Sequence, residues 1–100
     1  MKLDLGGVIR REDRGGKGRY VLDMPNGEEA ELTYVGSGLD HLLIDYTFVP
    51  RQYRGRGVAE RLVLHAVEQA RINGTKLTPL CGYVAAEFRR HPQWSDVLRR

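Results

Sequence analysis

The sequence predicts an α+β domain, in which a mostly antiparallel, twisted mixed sheet carries a central amphipathic helix and a short C-terminal helix. Two observations support this fold class. Up to Pro50, short apolar runs alternate with turn residues, which is typical of an antiparallel meander. After Pro50, apolar residues recur at helical spacing over residues 58–70, and the residue types over 84–90 favour a second helix. We therefore expect four strands first and the main helix after them.

The first two strands are expected to be joined by a polar turn. A short strand around Val8 and Ile9 precedes a glycine-rich stretch over residues 11–18. The second strand spans residues 19–24 and is closed by residues 25–27, whose Pro-Asn-Gly sequence favours a hairpin turn. The sheet should therefore begin as a hairpin.

The third and fourth strands differ in their pattern of apolar and polar residues. Residues 29–35 alternate between apolar and polar side chains, which predicts a strand with one buried face. Residues 36–38 turn the chain, and a longer strand follows over residues 39–49. Its aromatic residues Tyr46 and Phe48 share one face, which we expect to pack in the core.

The helical region has clear ends. Gly74 follows the periodic segment and suits a left-handed helix cap. A short strand is expected over residues 76–80, and His91-Pro92 ends the second helix. Trp94 should pack back on the core with residues 97 and 98. The apolar face of the first helix consists of Val58, Ala59, Leu62, Val63, Ala66, Val67 and Ala70.

Length and charge limit the function classes. The chain of 100 residues is expected to form one domain, residues 1–100, too small to include a separate cofactor domain. Its 16 basic and 13 acidic residues leave a net charge of +3. That balance favours an anionic partner, but a dedicated DNA-binding domain usually has a denser basic face.

The cysteine and histidine residues indicate the cellular compartment and bear on metal binding. The single cysteine, Cys81, cannot form an internal disulfide, and the N-terminus does not resemble a signal peptide, so we expect a cytoplasmic protein. No apolar run is long enough for a membrane span. His41, His65 and His91 are scattered without zinc-like spacing, so no metal site is expected.

The most informative segment joins the fourth strand to the helix. The strand ends at Val49-Pro50, and Gly55 and Gly57 lie just before the helix begins. Backbone N–H groups at a helix start attract anions, and glycines let a phosphate approach the backbone. The segment therefore predicts a phosphate or diphosphate site, and the competing interpretation is a basic loop that only caps the helix. The loop arginines are Arg51, Arg54 and Arg56.

The same loop resembles a known signature. Gln52-x-x-Gly55-x-Gly57 fits the Gln/Arg-x-x-Gly-x-Gly/Ala acyl-CoA motif of the GNAT N-acetyltransferase superfamily. The chain is similar in particular to small GNAT-like proteins of about 100 residues, over residues 28–98. Three further segments support this narrower resemblance, namely residues 46–50, 79–84 and 91–94.

The resemblance implies acetyl-CoA as the cofactor and an amine as the acceptor. The pantetheine arm would run beside the strand end at Phe48 and Val49, and the Val49 N–H would polarise the thioester carbonyl. The next strand would splay away from the fourth strand and open a slot. The implied cofactor-binding residues are Phe48, Val49, Gln52, Tyr53, Arg54, Gly55, Arg56, Gly57, Val58 and Ala59.

Two residues after the splayed strand are candidate catalytic groups. Cys81 has three interpretations: a small buried core residue, a residue of the acyl-CoA slot, or a nucleophile. Tyr83 is either a core residue or the acid that protonates the leaving CoA thiolate. Two features differ from the family pattern. Tyr46-Thr47 replaces a frequent His-Thr pair, and residues 11–18 are too few for acceptor-binding helices.

Three other polar residues have simpler expectations. His65 lies at the edge of the apolar helix face, which favours a half-buried structural histidine. His41 begins a strand and should be exposed. Asp45 flanks the expected slot, where it could act as a base through water or face solvent.

The favoured function is acetyl transfer from acetyl-CoA to a primary amine of a small molecule, a protein lysine or an N-terminus, by direct attack in a ternary complex. An alternative is a CoA-binding module with little or no catalysis, acting as an interaction or regulatory protein. A small nucleic-acid-binding domain is a weaker alternative, because no strand face interleaves basic and aromatic residues. No nucleic-acid or membrane partner is expected, and the oligomeric state stays open.

Overall fold

The structure, a computed structural model, describes residues 7–99. Its five strands are β1 (Arg10–Arg14), β2 (Lys17–Asp23), β3 (Glu29–Gly36), β4 (His41–Phe48) and β5 (Lys76–Pro79). They form one sheet in the order β1-β2-β3-β4-β5. The first three pairings are antiparallel, whereas β5 runs parallel to β4. The mixed, mostly antiparallel sheet that the sequence predicts is confirmed.

Two helices pack with this sheet, α1 (Val58–Asn73) and α2 (Gly82–Arg90). α1 ends at Gly74, whose φ of 68° is the left-handed cap that the sequence predicts. Single 3₁₀ turns cover Arg51–Tyr53 and Pro92–Trp94. Within residues 7–99 neither helix is long and apolar enough to cross a bilayer.

The core lies between α1 and one face of the sheet. Alternate residues of β2 and β3 point to this face, and α1 covers them with its apolar side. Burial of each large aliphatic side chain contributes about 1.5–3 kcal/mol. His65 is half-buried edge-on to the Tyr20 ring, as expected of a structural histidine. The fully buried aliphatic residues include Leu22, Leu32, Ile44, Leu62 and Val67.

The predicted position of the first strand is wrong. β1 covers Arg10–Arg14, whereas the sequence predicts a strand around Val8 and Ile9 and a polar, glycine-rich turn over residues 11–18. Pairing across the sheet overrides that composition: Arg10 forms ion pairs with Asp23 and Glu29 on neighbouring strands. The connection to β2 is therefore only the two-residue turn at 15–16, and it leaves no room for helices.

The predicted burial of Tyr46 and Phe48 is also wrong, because β4 contains a bulge. Tyr34 pairs with Ile44 but Thr33 pairs with Tyr46, so Asp45 is an extra residue in β4. Beyond the bulge, Tyr46 and Phe48 lie on the sheet face away from α1, here called the outer face. Tyr46 is 49% exposed there. The intervening residue Thr47 therefore points to the helix side.

His41 is buried rather than exposed, because β5 pairs with it and its ring contacts Thr78 of that strand. Its Nε2 lies 2.6 Å from Thr78 Oγ1, and that hydroxyl donates to the Arg99 carbonyl at 2.7 Å. Since a threonine hydroxyl has one hydrogen, His41 Nε2 is the donor to Thr78. Trp94 and Val97 are buried in the core, as predicted.

Candidate functional site

A gap opens in the sheet because β4 extends beyond the end of β5. Their parallel pairing ends at Ile44 and Pro79, and the Ile44 carbonyl accepts the last hydrogen bonds from Leu80 and Cys81, at 2.8 and 3.1 Å. Among the described residues, the rest of β4 as far as Phe48 pairs in the sheet with β3 alone. One backbone edge of β4 is thus left facing the gap.

The loop after β4 places a row of backbone groups beside this gap. Gly55 and Gly57 have φ values of 77° and 81°, in the left-handed region that favours glycine. A Cβ built on either glycine meets no heavy atom within 4 Å, so the space beside the loop is open. Gly57 is the N-cap of α1 and supplies no side-chain cap. The first N–H groups of α1 therefore remain available to an anion.

Two side chains fix the loop to the sheet. The Tyr53 hydroxyl accepts a hydrogen bond from the Asn26 N–H, 3.2 Å away in the β2–β3 turn. Arg54 Nε donates to the Val49 carbonyl at 2.9 Å, and its guanidinium lies 5.9 Å from the centre of the Phe48 ring. Arg54 thus holds the loop against the end of β4.

The other two loop arginines have no such role. Within residues 7–99, the side chains of Arg51 and Arg56 form no hydrogen bond or ion pair with the protein, and both residues are exposed. They remain able to attract an anion to the start of α1.

A cavity of about 450 Å³ lies at this point. Most of the residues predicted for the site line it, whereas Phe48, Gln52, Arg56 and Cys81 do not. Phe48 faces a separate depression on the outer face. Among the described residues, no group of three His, Cys, Asp or Glu side chains is arranged to hold a metal ion. The lining consists of Thr47, Val49, Tyr53, Arg54, Gly55, Gly57, Val58, Ala59, Glu60 and Tyr83.

Two of these lining residues were missed by sequence reasoning. Thr47 could have been found only by knowing the bulge, because simple alternation assigns it no special face. Glu60 lies in the first turn of α1, where an acidic residue is common for its interaction with the helix dipole and so attracts no notice. Asp45, considered as a base, lies outside this cavity and accepts a hydrogen bond from Thr33 Oγ1 at 2.5 Å.

Tyr83 enters the cavity from the first turn of α2, whereas Cys81, the N-cap of that helix, lies outside the lining. Burial, together with the nearby carboxylates Glu87 and Glu60, raises the pKa of Tyr83 to about 12. Tyr83 is therefore a neutral hydrogen-bond donor at physiological pH. Cys81 is half-buried against the core as the N-cap of α2, and its Sγ lies 3.8 Å from Thr47 Oγ1.

A strand, a glycine loop and a helix start thus meet at a gap in the mixed sheet of an α+β protein, and open space lies beside the glycines. The family model described as GCN5-related N-acetyltransferase matches residues 19–97. The chain belongs to this family, whose members typically use acetyl-CoA. It is also similar to the solution structure of a GCN5-like protein from Staphylococcus aureus, with 26% identity and a TM-score of 0.66. That match covers 91% of this chain and 88% of the other.

The Arg54 hydrogen bond gives a prediction about stability. We expect Arg54→Gln to lower the free energy of unfolding by about 1 kcal/mol, because the Val49 carbonyl loses its charged donor. Arg56→Gln removes the same charge without breaking a contact and should leave stability within about 0.5 kcal/mol of wild type. Urea unfolding of the three proteins measures the difference. Equal midpoints for the two variants would show that the Arg54 hydrogen bond does not stabilise the loop.

Proposed function

We propose that this protein transfers the acetyl group of acetyl-CoA to a primary amine by direct attack in a ternary complex. The observation that carries the proposal is one cavity lined by the glycine loop, the start of α1, the end of β4 and Tyr83. The bound cofactor would supply the acetyl group as a thioester.

The loop residues fit a diphosphate. The open space beside Gly55 and Gly57 is where a Cβ would otherwise stand, and the amides from Gly55 to Ala59 can donate to phosphate oxygens. Arg51 and Arg56 add positive potential, while Gln52 and Tyr53 complete the 3₁₀ turn that leads into the loop. These residues would hold the cofactor at its charged end.

The end of β4 would hold the reacting end. The backbone edge of Phe48 and Val49 can pair with an extended pantetheine arm as an added strand does. The Val49 N–H would donate to the carbonyl oxygen, where negative charge develops as the amine attacks. Nitrogen–carbon bond formation and carbon–sulfur bond cleavage then leave an amide and a thiolate, and the amine loses a proton.

Tyr83 would donate a hydrogen bond to the departing sulfur. With a pKa of about 12 it is a weaker acid than an ordinary thiol, whose pKa is near 8.5. It can therefore stabilise the thiolate without giving up its own proton. Direct attack requires no acetylated Cys81. An alkylamine with a pKa near 10 must lose a proton to react, and an open slot lets water take it.

This assignment predicts the alkaline side of the pH profile. For an alkylamine acceptor we expect the rate to rise with pH and to level off near pH 10 without falling by pH 10.5, because Tyr83 stays protonated. Tyr83→Phe should lower kcat by about 10-fold or more and keep the same profile shape. A wild-type rate that declines with a pKa near 10, absent in Tyr83→Phe, would contradict a neutral donor with a raised pKa.

A CoA-binding module with little catalysis is the second candidate. The observation that favours it is the two-residue turn between β1 and β2, so that no helix of residues 7–99 lies between these strands, where larger relatives carry acceptor-binding helices. Binding would then be retained without efficient positioning of an amine.

Two measurements on the wild-type protein test the proposal. Calorimetric titration with acetyl-CoA and CoA measures binding, and free thiol release with a panel of amines measures transfer. We expect binding and acceptor-dependent thiol release. Binding without acceptor-dependent release supports the module, whereas no binding of either compound rejects both candidates.

A further inference from the structure

Thr47 lines the inner end of the slot, and its side chain contacts Cys81, which lies behind the lining residues. Thr47 comes from β4 and lines the cavity, while Cys81 stands opposite at the start of α2. Thr47 Oγ1 and Cys81 Sγ are 3.8 Å apart. The pair therefore spans the gap between its closed end at Ile44 and its open end at Val49.

Both residues are held in place by their own backbones. Cys81 donates its N–H to the Ile44 carbonyl at 3.1 Å and accepts a hydrogen bond from the Ala85 N–H at 2.9 Å. Thr47 is paired with Leu32, whose side chain is fully buried in the core. Neither backbone can move away without breaking sheet or helix hydrogen bonds, and the contact between the two side chains is here called the floor of the slot.

We infer that Thr47 and Cys81 limit the acyl chain to acetyl by closing the slot behind the thioester. This inference rests on the proposed function, because it assumes that the acyl group enters from the Val49 end. A chain longer by one or two methylenes would have to separate the pair. Close-packed interiors resist such overpacking, and one methylene in an apolar pocket typically changes selectivity about 10–200-fold.

On this account the volume of Cys81 is important and its thiol reactivity is not. A matched pair of variants separates the two properties. Cys81→Ala removes the sulfur and opens the floor, whereas Cys81→Ser nearly preserves the volume but removes the thiol. Thr47→Ala opens the floor from the β4 side as an independent second variant.

The test is calorimetric titration of wild type and the three variants with CoA, acetyl-CoA, propionyl-CoA and butyryl-CoA. We expect wild type to bind butyryl-CoA at least about 10-fold more weakly than acetyl-CoA. Cys81→Ala and Thr47→Ala should each reduce this ratio about 10-fold, while Cys81→Ser keeps the wild-type ratio. Thermal unfolding of each variant confirms that the comparison is made on folded protein.

Separate outcomes reject the inference and the proposed function. If wild type binds acetyl-CoA and butyryl-CoA equally well, Thr47 and Cys81 do not limit the acyl chain, but the proposal of cofactor binding is retained. Unchanged ratios in both alanine variants also reject the floor, as does a ratio that collapses in Cys81→Ser as fully as in Cys81→Ala. If wild type binds none of the four compounds, the proposed function fails and the inference fails with it.

Discussion

Replacing Gly57 with tryptophan should abolish binding of acetyl-CoA and CoA, with an affinity loss of at least about 100-fold. A Cβ on Gly57 points into open space next to the loop, where the proposed diphosphate lies. A tryptophan ring in that space would displace the ligand from the first N–H groups of α1. Calorimetric titration of wild type and Gly57→Trp measures the loss.

The chain has a matched control for backbone strain at the other end of α1. Gly74 also has a left-handed φ, 68° compared with 81° at Gly57, and a Cβ there likewise meets no heavy atom within 4 Å. Both tryptophan variants should therefore lose a similar amount of stability, about 1–2 kcal/mol. Only Gly57→Trp should lose the ligand. If Gly57→Trp binds acetyl-CoA with wild-type affinity, the binding site must lie elsewhere on the protein.

Replacing Gly18 with alanine should destabilise the fold by about 3 kcal/mol and lower Tm by about 15 °C. Gly18 lies in β2 between Asp13 on β1 and Tyr34 on β3. The Tyr34 side chain crosses over it, and its hydroxyl donates a hydrogen bond to Asp13. A Cβ on Gly18 would lie 2.5 Å from Tyr34 Cζ and 2.6 Å from Asp13 Oδ1. The ring is buried and cannot move aside without breaking this bond.

Gly16→Ala is the control for the glycine substitution itself. Gly16 lies in the adjacent turn, and a Cβ there meets no heavy atom within 4 Å. We expect its thermal unfolding to stay within a few degrees of wild type. Equal Tm values for Gly16→Ala and Gly18→Ala would contradict the expected clash between a Cβ at position 18 and the Tyr34 ring.

Local spacing was enough to predict the two elements that form the candidate site, α1 and the glycine loop. The helical recurrence from Val58 to Ala70 identified α1 and its buried face, because such a face depends only on residues three and four apart. The glycines at 55 and 57 identified the loop, because left-handed backbone limits the residue type at the position itself. The roles assigned to the loop residues remain predictions until ligand binding is measured.

Other features needed contacts between distant parts of the chain. The charged composition of Arg10–Arg14 hid β1, whose strand form depends on pairing with β2 and on ion pairs to β2 and β3. The burial of His41 depends on β5, and the donor role of its Nε2 depends on the carbonyl of Arg99, which accepts from Thr78 far along the chain. The sequence around His41 gives no sign of these distant contacts.

By itself the sequence determined the class of fold, the order of its main elements and the glycine loop at the start of α1, because these follow from side-chain period and backbone preference over a few residues. Only the tertiary structure decided which β4 side chains face the slot. The bulge at Asp45 reverses the faces of Tyr46, Thr47 and Phe48, and it exists only in the register between β3 and β4. The contact between Thr47 and Cys81 follows from that reversal, because only the reversed face turns Thr47 toward Cys81 at the start of α2.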